Sequence, residues 1–344
     1  MRQHLNTLFL TLEGSYLKKD GAAVAIRHDG ETKLRVPLHN LDGICCFGWD
    51  ISASAQLMHA CAQANVALSF HNPYGKFLTS SHGPQSGNIL LRREQYRQAD
   101  TETASLAIAA NCISAKIHNS RQILLRAARD HSDPSSDRAT TLLAAATELN
   151  KRLKLIPKAT TLDSLRGIEG DTATYYFGVL PKLITVEGFE FKGRSRRPPL
   201  DRVNALLSFL YSLLAHDIRS ACESTGLDPQ CGFLHRDRPG RPSLALDLME
   251  EFRAVFADRP ALTLINRKQI TRDDFESKES GAVLLKEEAR KTVLSHWQER
   301  KQTEITHPFL NEKTTSGLMP HLQARLLAQY LRGDLDAYPA YLIK

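Results

Sequence analysis

The chain has 344 residues, of which 42% are hydrophobic and 24% charged; this composition excludes a disordered or fibrous protein, and the length favours two globular domains. Lysine and arginine number 45 against 38 aspartates and glutamates, giving a net charge of +7. The surplus favours a polyanionic partner such as nucleic acid without establishing one.

The six cysteines lie in apolar stretches and none forms a CxxC pair, so no zinc ribbon or redox motif is indicated. Buried thiols in a chain of this size are typical of a reducing compartment. The N-terminus lacks the basic and apolar segments of a signal peptide, and no stretch reaches the roughly 18 apolar residues that cross a bilayer. We therefore expect a cytoplasmic protein that does not bind a membrane.

Residues 6–79 consist of short apolar runs divided by turns, which is the pattern of a β-rich domain. Asp29 and Gly30, between two alternating runs, predict a hairpin turn. The runs GICCF, VALSF and KFLTS continue the strand pattern, and residues 52–64 interrupt it with one amphipathic helix. The sequence thus predicts a small N-terminal β-rich domain over residues 1–80.

The segment SSHGPQSG, residues 80–87, has no periodicity, so residues 81–91 are predicted to link two domains. Further on, apolar residues recur at helical spacing, and HSDPSSDR and FKGRSRRPP are predicted loops. The predicted helices cover residues 92–129, 140–155, 162–180, 201–223, 244–256, 281–301 and 317–331. The fold class expected is therefore α+β, with a larger, all-α C-terminal domain over residues 92–344.

Two residues of the predicted helical domain are candidates for chemistry. Glu169 has glycines on both sides in RGIEGD, and His235 ends the apolar run GFLH before an arginine-rich loop. An imidazole can bind a metal or relay a proton. Each has a simpler explanation, because the helix dipole favours a glutamate in a first helical turn and most of the 13 histidines need no catalytic role.

The predicted helix SLALDLMEEF combines an apolar face with an acidic one. Its acidic residues are Asp247, Glu250 and Glu251, and the first two are neighbours on the helix surface. Taken alone, they indicate a solvated acidic stripe. A glutamate, a histidine and a carboxylate pair together suit Mg²⁺ or Mn²⁺, which can stabilise charge on a phosphate and activate an oxygen nucleophile.

Three segments, in this order, resemble the core motifs of the CRISPR-associated integrase family, Cas1: GIEGDTATYYF, RRPPLDRVNALLSFLYSLL and GFLHRDRPGRPSLALDLMEEFR. The resemblance covers most of the chain, since a β-rich start followed by a helical domain is also the family's plan. NTLFLT and YLKKDG resemble the version found in type I-C systems. The resemblance implies a metal-dependent DNA endonuclease and integrase that acts in spacer acquisition.

Carried over residue by residue, the resemblance implies that Glu169, His235 and Glu250 are catalytic metal ligands and that Asp247 is a supporting catalytic acid. Many relatives have aspartate at the position of Glu250, so the adjacent Glu251 remains an alternative ligand. The implied reaction is attack by the terminal 3′-hydroxyl of a captured DNA fragment on a phosphodiester at the edge of a CRISPR repeat. No covalent protein intermediate is required.

The resemblance also implies partners: double-stranded DNA as captured fragment and repeat, a second copy of the chain in a homodimer, the small protein Cas2 and, in type I-C systems, the nuclease Cas4. Clustered guanidinium groups suit DNA phosphates. The predicted DNA-binding residues are Lys192, Arg194, Arg196, Arg197, Arg236, Arg238 and Arg241. The alternative for the loop of residues 191–199 is an exposed basic segment that only aids solubility.

Two other functions fit the same residues. One is a metal-dependent nuclease for branched DNA with no integrating role, which joined rather than merely cleaved products would exclude. The other is a non-catalytic DNA-binding scaffold whose acidic stripe is simply solvated. Loss of activity on mutation of Glu169, with DNA binding intact, would exclude that scaffold.

Overall fold

The computed structural model describes residues 7–41, 43–64, 66–73, 77–81, 89–130 and 135–344. By their contacts they form two compact units. The first comprises Met1–Gly87, Lys286–Glu304 and Thr315–Leu318, and the second comprises Asn88–Leu285, Ile305–Thr314 and Met319–Lys344. The segments from Lys286 and Thr315, which the sequence assigned to the second domain, therefore cluster with the first unit.

The N-terminal part of the first unit is built from short strands and one helix. In chain order these are β1 (Thr7–Leu10), β2 (Tyr16–Asp20), β3 (Ala23–His28), β4 (Glu31–Pro37), β5 (Gly43–Phe47), β6 (Ser52–Ala53), α1 (Ala55–Gln63), β7 (Ala67–His71) and β8 (Phe77–Ser81). One sheet has the order β1-β5-β7-β8 and the other the order β4-β3-β2-β6. In the first sheet β5 pairs in parallel with both β1 and β7.

The core of this part explains why the strands form. Every residue of β5 is buried, as expected for a central strand, and Leu17, Val24 and Ile44 belong to one apolar cluster with Leu57 of α1. The predicted hairpin is confirmed: β3 and β4 are antiparallel, and Asp29 and Gly30 both have positive φ, at 51° and 79°. The sequence missed β2, because its two lysines obscure the single inward-facing residue, Leu17.

From residue 89 onward the chain is largely helical. The elements are α2 (Ile89–Ala99), α3 (Glu102–Arg129), α4 (Asp137–Leu153), α5 (Leu162–Val179), α6 (Arg202–Thr225), α7 (Ser243–Phe252), α8 (Arg259–Asn266), β9 (Phe275–Ser277), β10 (Val283–Leu285), α9 (Glu287–Lys301), β11 (Glu304–Thr306), β12 (Lys313–Thr315) and α10 (Met319–Leu331). The α+β class is confirmed. None of the helices described is both long enough and apolar enough to cross a membrane.

Several predicted boundaries were wrong for local reasons. The predicted helix 92–129 is two helices, α2 and α3, separated at Asp100 and Thr101. The predicted helix 281–301 begins only at Glu287, because Val283–Leu285 forms a strand with Phe275–Ser277. Most of the predicted linker, residues 82–88, and the first half of the predicted loop 131–138 lie outside the described residues.

Helix α3 organises the second unit. Its 28 residues pack against α4, α5 and α7, and most of its central residues are buried. Helix α7 runs on through a six-residue π-helical segment, Arg253–Asp258, into α8. Because α3, α5 and α7 meet in this unit, their side chains can form a common site.

Candidate active site

Helix α5 carries Glu169 and is fixed at its start by Thr161, whose side chain accepts a hydrogen bond from the backbone N–H of Ser164. Glu169 lies two turns into the helix, so the helix-dipole explanation for it was wrong. A Cβ added at Gly167 or Gly170 would meet no atom within 4 Å, so the flanking glycines leave the surroundings of Glu169 open.

His235 lies in an irregular segment between α6 and α7, and Asp247 of α7 fixes that segment. The Asp247 carboxylate accepts hydrogen bonds from the backbone N–H groups of Phe233 (2.6 Å), Leu234 (3.0 Å) and His235 (3.0 Å). His235 Nδ1 lies 2.6 Å from Asp247 Oδ1 and, facing a carboxylate, carries the ring hydrogen. His235 Nε2 is thereby left with its lone pair available.

Glu250 lies on the same helix and is 4% exposed. Its Oε1 accepts a hydrogen bond of 2.7 Å from Arg253, and its Oε2 lies 2.8 Å from Lys116 Nζ of α3. Lys116 also donates a short hydrogen bond to Glu169 Oε1. Burial alone would raise the pKa of Glu250, but the positive charges of Arg253 and Lys116 outweigh it and lower the pKa to about 2.

Glu169, His235 and Glu250 line one cavity of about 340 Å³ in the second unit. Its lining residues are Arg166, Glu169, Leu234, His235, Arg236, Arg238, Arg241 and Glu250. The structure therefore brings together the three residues expected to bind metal, although they lie up to 81 positions apart in sequence. Positive side chains surround them, which suits a phosphate.

Glu251 faces a different part of the unit. It is fully buried and accepts hydrogen bonds from Tyr338 Oη (2.5 Å), Gln323 Nε2 (2.9 Å) and the backbone N–H of Tyr341 (2.7 Å). Burial raises the pKa of Glu251 to about 7 against the effect of these hydrogen bonds. Cys112 of α3 also contacts Glu251 Oε1 at 3.4 Å, so both carboxylate oxygens of Glu251 have partners away from the cavity, and Glu250 and not Glu251 lines the cavity.

The expectation of a solvated acidic stripe on α7 was wrong. Asp247 is 1% exposed, Glu250 4% and Glu251 0%. Buried carboxylates have to be paired or bound to a cation, and each of these three has its own partners. The apolar face predicted for the helix is buried too, and Leu246 is the one residue of α7 that is not buried.

The predicted DNA-binding residues divide into two groups. Arg194 is partly buried and donates to Asn204 Oδ1 (2.7 Å) and Ser208 Oγ (3.1 Å), while its guanidinium lies over the ring of Tyr211. It therefore braces the loop internally. The other group is Lys192, Arg196 and Arg197, which are exposed, together with Arg236, Arg238 and Arg241 of the cavity lining.

Arg196 and Arg197 of the loop lie close enough to Arg241 of the cavity lining for their charges to act on it. Burial lowers the pKa of Arg241, and the charges of Arg238, Arg196 and Arg197 lower it further. Arg236 in addition pairs with Asp163 at 3.0 Å. A basic surface thus extends from the cavity toward the loop that carries Arg196 and Arg197.

The donor set fits a divalent cation. Glu250 Oε2 is buried, and its partner there is the Lys116 ammonium at 2.8 Å. His235 has its second ring nitrogen bound to a carboxylate, as metal-binding histidines usually do. Two carboxylates and one imidazole match the ligands of Mg²⁺ or Mn²⁺ sites.

Sequence reasoning missed three residues of this site: Lys116, Arg166 and Arg253. Arg166 lies three residues before Glu169 and donates to the carbonyl oxygen of Leu234 at 2.6 Å, which ties α5 to the His235 segment. Arg253 is likewise three residues after Glu250. Helical spacing could have found both, and a lone lysine in the apolar stretch NCISAKIH was a signal for Lys116.

Comparison with known families gives a consistent result. Residues 8–299 match the model of the family described as CRISPR associated protein Cas1. A CRISPR-associated endonuclease Cas1 of Chlorobaculum tepidum is 52% identical over 343 residues, which cover 99% of each chain. Another from Rhodospirillum rubrum is 51% identical over 350 residues, covering 100% of each. A Cas4 exonuclease/Cas1 endonuclease fusion of that organism is 33% identical over 336 residues, covering 95% of this chain and 56% of the fusion.

Solved structures share the fold. A Cas1 protein from Thermotoga maritima has a TM-score of 0.83 at 22% identity, covering 97% of this chain and 99% of that one. A chain of a Cas6-RT-Cas1–Cas2 complex has a TM-score of 0.84 at 23% identity, and the match covers 99% of this chain and 37% of that one. A casposase bound to an integration product has a TM-score of 0.83 at 25% identity, and the match covers 99% of this chain and 95% of that one.

Gly232 allows the His235 segment to approach α7. A Cβ at this position would lie 2.7 Å from Asp247 Oδ2 and 2.8 Å from Ser243. We predict that Gly232→Ala lowers the free energy of unfolding by about 1–3 kcal/mol. Gly170→Ala is the control, since open space at a helical position predicts a gain of about 0.5–1 kcal/mol. Thermal or urea unfolding measures both, and a neutral Gly232→Ala would contradict the close approach.

Arg194 and its neighbours in the basic loop should behave differently on mutation. We expect Arg194→Ala to lower the melting temperature because it removes the hydrogen bonds to Asn204 and Ser208. Arg196→Ala combined with Arg197→Ala should leave the melting temperature unchanged. The double variant should reduce the slope of log affinity for DNA against log salt by about 0.9 per lost phosphate contact. An unchanged slope would show that these two residues do not contact DNA.

Proposed function

The chain belongs to the Cas1 family of CRISPR-associated proteins, and from this premise we propose that the cavity lined by Glu169, His235 and Glu250 is its catalytic metal centre. As a Cas1 protein, it is an endonuclease and integrase of spacer acquisition. The observation that carries the site assignment is that Glu169, His235 and Glu250 line one cavity, with His235 Nδ1 held by Asp247.

We propose Mg²⁺ or Mn²⁺ as the ion, held by carboxylate oxygens of Glu169 and Glu250 and by His235 Nε2. A divalent cation at such a position stabilises charge on a phosphate and activates an oxygen nucleophile. Asp247 holds the imidazole in the tautomer that presents Nε2 and anchors the backbone on which it sits. Arg253 keeps Glu250 ionised and oriented.

The arginines of the cavity position the DNA. Arg238 and Arg241 lie beside the three candidate ligands, where guanidinium groups can hold the phosphate that is attacked. We propose that the terminal 3′-hydroxyl of a captured fragment is placed in line with that phosphodiester at the edge of a CRISPR repeat. Arg196 and Arg197 continue the contact along the duplex backbone without reading its sequence.

We propose double-stranded DNA, a second copy of this chain and Cas2 as partners in the cytoplasm, where the DNA substrates are. Chains of a Cas6-RT-Cas1–Cas2 complex and of a casposase bound to an integration product have related folds, which supports DNA and Cas2 as partners. In this proposal residues 1–80 form the dimerisation domain and residues 92–344 the catalytic domain. We also propose a type I-C system with Cas4, supported by NTLFLT, YLKKDG and the Cas4–Cas1 fusion relative.

We predict opposite consequences for the two adjacent glutamates of α7. Glu250→Gln should abolish strand joining and weaken Mn²⁺ binding, because it removes a charged ligand from the cavity. Glu251→Gln should join strands within about tenfold of the wild-type rate, since Glu251 contacts the C-terminal segment and not the cavity. A joining assay with a labelled fragment measures both. An inactive, folded Glu251→Gln beside an active Glu250→Gln would reverse the assignment.

The acids Asp247 and Glu250 should differ in their response to metal concentration. Asp247→Asn should reduce joining by roughly 10- to 100-fold, because Asp247 acts through His235, and Mn²⁺ should restore part of the loss. Glu250→Gln should recover far less. Joining rates across a Mn²⁺ titration, with melting temperatures to verify folding, make the comparison. Equal recovery, or a less active Asp247→Asn, would mean that the two roles are exchanged.

A further inference from the structure

Lys116 occupies an unusual position in the middle of α3. Its side chain is 11% exposed, and its flanking residues Ala115 and Ile117 are fully buried. The ammonium contacts Glu169 Oε1 and Glu250 Oε2, which belong to different helices. These are two of the three residues proposed above as metal ligands, so one lysine bridges the carboxylates that the ion would bridge.

Burying a lysine is unfavourable unless its charge is compensated, and two facing carboxylates repel each other unless a cation lies between them. Lys116 meets both requirements together with Arg253. Around Glu169 and Glu250 the two negative charges are balanced by the positive charges of Lys116 and Arg253. A divalent ion would add two further positive charges and leave the group with a net positive charge unless one of the two side-chain cations moved away.

We propose that Lys116 is an intrinsic counter-cation of the metal centre, which holds Glu169 and Glu250 together before the ion arrives and is displaced by the ion. The proposal rests on the metal site proposed above. Lys116 thus keeps the ligands preorganised at the expense of metal affinity. It is a positioning residue, since it acts on the ligand carboxylates.

The two cations that contact Glu250 differ in their freedom to move. The Arg253 side chain is 13% exposed, and its guanidinium lies 4.8 Å from the centre of the Tyr211 ring, a contact that fixes it in place. Lys116 has a flexible four-carbon stem and makes its polar contacts with the two glutamates alone among the described residues. Its ammonium can therefore swing into the cavity while α3 stays in place. Lys116 is the cation that an ion can replace.

The test is Mn²⁺ binding by calorimetry to the full-length wild type and to Lys116→Gln. If Lys116 competes with the ion for Glu169 and Glu250, Lys116→Gln should bind Mn²⁺ about tenfold more tightly than wild type, which corresponds to about 1.4 kcal/mol. It also predicts a lower melting temperature than wild type without metal and a larger rise when Mn²⁺ is added. Arg238→Gln is the matched control, because Arg238 lines the same cavity and pairs with neither glutamate. That control should change Mn²⁺ affinity by less than about threefold.

Mn²⁺ binding by Lys116→Gln that is equal to or weaker than wild type would overturn the proposal while leaving the metal site intact. If wild type itself binds no Mn²⁺, the proposed metal site fails and the role of Lys116 fails with it. If Lys116→Gln does not fold without metal, the double variant Lys116→Gln/Glu169→Gln tests whether repulsion between the two carboxylates is the cause. Removing one of the facing carboxylates should restore folding if repulsion is the cause, and a double variant that still does not fold would overturn the proposal.

Discussion

A carboxylate in a protein interior has to be paired, and α7 buries three of them on one helix: Asp247, Glu250 and Glu251. Each points in a different direction and recruits a different part of the second unit. Asp247 holds the His235 segment, Glu250 holds cations from α3 and from the following π-helical segment, and Glu251 holds the C-terminal residues. The geometry of the cavity depends on these three pairings.

The pairing of Glu251 shows how residues distant from the cavity support it. The C-terminal segment contacts α7 through Tyr338 and Tyr341, and Asn119 of α3 donates to the carbonyl oxygens of both Glu251 and Tyr341, at 2.7 and 2.8 Å. Asn119 lies one turn beyond Lys116 on α3. The segment therefore fastens together the two helices that present Lys116 and Glu250. Positions behind a site are commonly constrained in this way, because small shifts of a ligand reduce metal affinity strongly.

Much of the architecture could be predicted from the sequence, since the β-rich start, the Asp29-Gly30 hairpin and most helices follow from periodicity and turn chemistry. The candidate ligands followed from family resemblance, and the structure places them together. The sequence could not show which part of the structure each side chain faces. A helical projection puts Glu250 and Glu251 on one acidic side, yet both are buried, and each faces a different environment. Arg194 looked like its neighbours because its partners, Asn204 and Ser208, come from tertiary packing.

The central claim is that Glu169, His235 and Glu250 bind one ion. Anomalous diffraction from crystals soaked in Mn²⁺ tests it most directly. The account predicts a single strong peak within coordination distance, about 2.1 Å, of a carboxylate oxygen of Glu169, of His235 Nε2 and of Glu250. A peak held by Asp247 or Glu251 instead, or no peak in this cavity at saturating Mn²⁺, would contradict it.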